Sequence, residues 1–177
     1  MDRRAWITLI VLHALLLLTV YVFQGMIFPH VRIIGLIPLI LPIAATGIAV
    51  YEGCHAGGIA GLFAGILCDV SFNQPAGVFT VLLTLTGLFI GALVDSVVMR
   101  GFVTYMLACL AVLILSAVVQ ILVHLIITPD VLIPQGALIS VAFRQTAFSY
   151  LFALPLWFFV RALGRRMEET SSRERPL

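Results

Sequence analysis

Six apolar stretches follow one another along the chain with little between them. They cover residues 6–24, 33–51, 54–70, 77–99, 102–128 and 139–163. Each is near the ~20 residues a helix needs to cross a bilayer. The spacing therefore predicts six membrane-spanning helices. The first stretch is longer than a signal-peptide core and no A-x-A-like site follows it, so it reads as an uncleaved span. The second carries Pro38 and Pro42 one turn apart. Each proline removes a backbone donor, so that half is expected to be kinked or partly unwound. The third is short and glycine-rich, and the sixth has Pro155 in its interior. Between the stretches lie a loop with Pro29, His30 and Arg32, a tight turn at Glu52 and Gly53, a turn over 71–76 and a loop over 129–136. The chain divides into a six-span membrane domain, 1–163, and a polar tail, 164–177, expected to be cytoplasmic and disordered.

Composition agrees with this pattern and closes off other classes. Of the 177 residues, 62% are hydrophobic and 10% charged, against roughly 45–50% and 25% in soluble domains. Mean hydropathy is +1.18. So few charges cannot cover the surface of a 19.3 kDa globule, and no length remains for a soluble catalytic or nucleotide-binding domain. All ten basic residues are Arg. They flank apolar stretches, as topology signals do, and do not form the basic face of a nucleic-acid binder. With the N-terminus inside and six spans, Arg3, Arg4, Arg100, Arg161, Arg165, Arg166, Arg173 and Arg175 lie inside, leaving Arg32 and Arg144 outside. Eight against two obeys the positive-inside rule, so the expected topology is N-in, C-in. Without the third span, Arg100 and the C-terminal cluster would move outside.

The third and fourth stretches carry the most specific pattern. Gly57, Gly61, Gly65 and Asp69 recur every four residues, with Ala60, Ala64 and Cys68 as a second small row. Gly87, Gly91 and Asp95 repeat the device in the next span. Residues four apart share a helix face, and a face without side chains lets helices meet at their backbones. Close packing within this chain is the favoured reading over a partner-binding groove. Asp69 reads either as an interfacial acid or as a carboxylate paired with Arg144. A polar stripe, Ser116, Gln120, His124 and Thr128, marks the outer half of the fifth span, and Arg144, Gln145 and Thr146 begin nearby. With Asp69 and Asn73 these compose an expected outer polar cluster, centred on Gln120, His124 and Arg144. His124 and His13 read as hydrogen-bonded histidines in preference to proton carriers.

No G-x-S-x-G, H-E-x-x-H or Walker loop occurs, and no serine has a paired base. The three cysteines, Cys54, Cys68 and Cys109, have neither disulfide-framework nor zinc-site spacing. The reading is a non-enzyme with no cofactor and no metal.

The run Tyr51 to Val70, YEGCHAGGIAGLFAGILCDV, resembles the MreD family of rod shape-determining membrane proteins. Gly57, Gly61, Gly65 and Asp69 match its G-x-x-x-G-x-x-x-G-L-x-x-D ladder, apart from the Ile66–Leu67–Cys68 run before the acid. Gly77, Gly87 and Gly91 match the segment after it. The resemblance implies a multi-pass protein of the bacterial inner membrane, serving as a scaffold in lateral cell-wall elongation. Its implied partners are an MreC-like bitopic protein and, through it, an MreB-like filament and the peptidoglycan glycosyltransferase and transpeptidase. The lipid bilayer is a further partner, and nucleic acid is not one. The alternative is the substrate-binding S-component of an ECF-type vitamin transporter, also six-span, with which a common fold is expected. The first span argues against it, since it has only Ala5 and Ala14 where an S-component docks through small residues.

Overall fold

A computed structural model describes residues 3–27, 38–72, 77–96, 99–127 and 135–161. The loop with Pro29, His30 and Arg32, the opening of the second span, Asn73, Thr128 and the tail beyond 161 lie outside the described residues. The regular structure among the described residues is all helical. In order it comprises α1 (Arg3–Ile27), α2 (Ile40–Glu52), α3 (Cys54–Phe72), α4 (Val78–Ser96), α5 (Phe102–Ile127) and α6 (Gln135–Leu151), with helix resuming over 153–161. Six helices stand where six were expected. Three of them, α3, α4 and α5, are each long and apolar enough to cross a membrane, while α1 contributes the apolar stretch Val11–Gly25.

The bundle is organised around α2. Residues 38–50 are all buried, as expected for a helix apolar on every side. α1, α3, α4 and α5 pack around it, and α6 packs on α5. Its shortness follows from its prolines. Pro38 and Leu39 are not helical and the first turn begins only at Ile40, with Pro42 inside it. The backbone donors ahead of Pro42 have no carbonyl partners within the helix. Other helices supply the acceptors. Leu39 N–H donates to Ser149 Oγ of α6 at 2.8 Å. Ile40 and Leu41 N–H donate to Gln24 Oε1 of α1 at 3.2 and 3.3 Å. The expected unwinding is real, and it ties the start of α2 to two neighbours.

Pro155 acts on the last stretch in the same way. It has no N–H for the Leu151 carbonyl, and the helix breaks one residue later, at Phe152. Phe152 N–H turns back to Ser149 O at 3.0 Å, and Leu156 N–H restarts the ladder on Phe152 O at 3.2 Å. Tyr105 OH donates to Ala153 O, 3.3 Å away, just past the break. The single expected sixth span is thus two helical pieces. The second piece brings Val160 against Gly47, where an added methyl would lie 3.0 Å from Val160 and 3.1 Å from Tyr105. It also seats Trp157, whose Nε1 donates to Tyr51 OH at 2.7 Å while Arg161 lies 4.7 Å from its ring.

Candidate functional site

The glycine ladders face each other. α3 and α4 are antiparallel neighbours joined by a short connection, and they form the most extensive helix pair in the bundle. Gly57, Gly61, Gly65, Gly87 and Gly91 are all buried. Each lies against the partner's main chain. A methyl on Gly57 would stand 2.6 Å from the Gly87 carbonyl oxygen, and one on Gly91 would stand 2.5 Å from Cys54 Cα. One on Gly61 would overlap the Leu83 carbonyl, and one on Gly65 would overlap Thr80. Backbone approach this close requires glycine. The opposite faces, with Leu62, Phe63 and Ile66 on α3 and Leu85 and Phe89 on α4, are exposed.

The aspartates that end the ladders complete the pair, and each caps the other helix. α4 starts after Gly77, at φ +100°, which has no side chain to cap the first turn. Asp69, at the end of α3, fills that role. It accepts the N–H groups of Gly77 (3.0 Å), Phe79 (2.9 Å) and Thr80 (3.1 Å), and the Thr80 hydroxyl at 2.6 Å. At the other end, α3 starts after Gly53, at φ +90°, again without a side chain. Asp95 Oδ2, from the end of α4, accepts Cys54 N–H at 2.9 Å, and its Oδ1 takes Arg100 at 3.1 Å. Both carboxylates lie at the positive ends of helix dipoles, where negative charge is favoured. A side chain on Gly53 would also strike Asp95, 2.6 Å from its Oδ2.

The expected Asp69–Arg144 pair does not form. Asp69 is satisfied by α4, and Arg144 is exposed, donating to Ser140 O and Ser140 Oγ of its own helix at 3.3 and 3.5 Å. Four donors held by the neighbouring helix satisfy this part-buried carboxylate without a cation. Gln120 and His124 do share one face of α5, both half-buried. Two residues that sequence reasoning passed over matter more. Gln24 and Ser149 hold the start of α2, and the signal for them was the proline pair, which guarantees donors in need of outside acceptors. Among the described residues no group of three His, Cys, Asp or Glu is placed to hold a metal.

A family model described as "MreD: rod shape-determining protein MreD" matches residues 3–167. No curated protein and no solved structure matches the chain.

Proposed function

The chain belongs to the MreD family of rod shape-determining proteins, and we propose that it works as a non-enzymatic subunit of the cell-wall elongation machinery in the bacterial inner membrane. In this reading it crosses the membrane six times with both termini inside, and it scaffolds an MreC-like bitopic protein. Through that partner it is linked to an MreB-like filament and to the peptidoglycan glycosyltransferase and transpeptidase. The observation that carries the reading is how the chain spends its carboxylates. Asp69 and Asp95 accept backbone donors and lock α3 to α4. A pair closed by its own glycines and acids is a rigid frame, and its outward apolar faces remain for lipid or for a partner's single span. The distribution of arginines supports the orientation.

The test is purification of the full chain in mild detergent from a rod-shaped bacterium, with identification of co-eluting proteins. Recovery of a bitopic coiled-coil protein and wall-synthesis enzymes is expected. Recovery of an ATPase module with a bound vitamin, and no wall-synthesis protein, overturns the reading in favour of a transporter S-component.

A further inference from the structure

Four buried side-chain atoms have no hydrogen-bond partner among the described residues: Gln24 Nε2, Ser116 Oγ, Gln120 Nε2 and Thr146 Oγ1. Buried polar groups are normally paired, so orphans call for an explanation. These four are not scattered. Gln24, 3% exposed, holds the first turn of α2 with one atom of its amide, so the orphan atom of that amide sits at the same helix end. Thr146 is one turn ahead of Ser149, which holds Leu39 at the same place. Ser116, with 0% exposure, and Gln120 continue the buried α5 stripe of Tyr105, Cys109 and Val112. Axial distances place them. Tyr105 lies beside Gly47. From Gly47 back to Ile40 is about 10 Å of helix, and from Tyr105 on to Ser116 about 16 Å. Along the axis Ser116 therefore stands about 6 Å beyond the first turn of α2, and Gln120, one turn further on, about 12 Å beyond it.

The orphans specify a chemistry. Two are amide NH2 groups, which only donate, and two are hydroxyls, which can donate. The end of α2 near which they stand is the positive end of a 13-residue helix, and with its Leu39, Ile40 and Leu41 N–H groups already taken by Ser149 and Gln24 it is the dipole that favours negative charge there. Such a site takes an acceptor with negative charge, of which a phosphate oxyanion is the common form. Depth points to its source. Gln24 lies about 31 Å along α1 from Arg3, close to the hydrocarbon thickness of a bilayer. The site is therefore near the headgroup level of the leaflet remote from the chain's N-terminus.

We propose that the N-terminal end of α2, with Gln24, Ser116, Gln120 and Thr146, is a phosphate-binding site that takes the headgroup of an anionic phospholipid. The assignment does not depend on the partner reading, because a chain that brings down no wall-synthesis protein can still retain the lipid. The test is native mass spectrometry of the full chain released from detergent with phosphatidylglycerol or with diacylglycerol of the same acyl chains. Phosphatidylglycerol should be retained about ten-fold more strongly, the scale of hydrogen bonds to a charged group. The double variant Ser116→Ala, Gln120→Leu, which leaves the cap of α2 untouched, should lose that preference while its melting temperature in detergent holds. Equal retention of the two lipids, or an unchanged preference in the variant, overturns the proposal. A second arm adds inorganic phosphate. Failure to displace the lipid supports a headgroup site, and binding of phosphate alone with displacement of the lipid overturns it.

Discussion

Replacing Gly61 by alanine adds one methyl group at the closest point of the α3–α4 contact. That methyl would overlap the Leu83 carbonyl, lying 2.7 Å from its carbon and 3.1 Å from Thr84 Cα. Carbon atoms pack best at about 3.5–4.0 Å, so the helices must part there by at least about 0.8 Å (3.5 less 2.7). A gap of that size forfeits roughly a quarter to a half of the dispersion attraction between the facing atoms. Overpacking of this kind costs about 1–3 kcal/mol, while alanine returns up to about 1 kcal/mol of helix propensity. From the middle of that range, the net expectation is a loss of about 1 kcal/mol, roughly a 5-fold fall in the folded-to-unfolded ratio. Gly25 is the control, because nothing lies within 4 Å of a methyl added there. Gly25→Ala should be neutral or gain up to about 1 kcal/mol. The assay is equilibrium unfolding of the purified chain in mild detergent against rising dodecyl sulfate, followed by circular dichroism. Equal stability of Gly61→Ala and wild type, or equal losses in the two variants, would refute the argument that glycine is required for backbone approach.

Three further outcomes follow from the same geometry. Asp69→Asn keeps one acceptor oxygen and Asp69→Leu keeps none, so stability should fall in that order, by about 1–3 kcal/mol for the leucine variant, with faster hydrogen exchange at Gly77, Phe79 and Thr80; unchanged exchange counts against the cap. Pro155→Ala restores an N–H for the Leu151 carbonyl and should straighten the break at Phe152, lengthening the distance between spin labels at positions 139 and 159; an unchanged distance shows that packing, not proline, sets the bend. Reporter fusions after Arg100 and after Arg166 should both report from the cytoplasm, and an external signal from either overturns the six-span orientation.

Much of this architecture was legible because membrane depth leaves few solutions. Apolar length located the six helices, and spacing by four placed the glycines of α3 and α4 on one face each. The acids at the ladder ends were visible too, but their role was not. A carboxylate capping a neighbouring helix has no periodicity, and Asp69 could be matched with Arg144 only on charge. The structure resolves this through Gly53 and Gly77, two helix starts with no side chain of their own to cap them. The start of α2 was half legible. Pro38 and Pro42 announced unpaired donors, yet nothing local names Gln24 or Ser149, 16 and 110 residues away, as their acceptors. Pro155 was visible inside the sixth span, and the break falls at Phe152, just past the Leu151 carbonyl that the proline leaves without a donor.

If shape determination rests on the α3–α4 frame, loosening that frame should change cell shape. The measurement is the cell length-to-width ratio, beside the membrane level of the protein, in a rod-shaped bacterium whose only copy of this gene carries Gly61→Leu, with His124→Ala as the comparison. Rounded or widened cells are expected for Gly61→Leu and near-normal rods for His124→Ala. Normal rods with Gly61→Leu present at wild-type levels would contradict it.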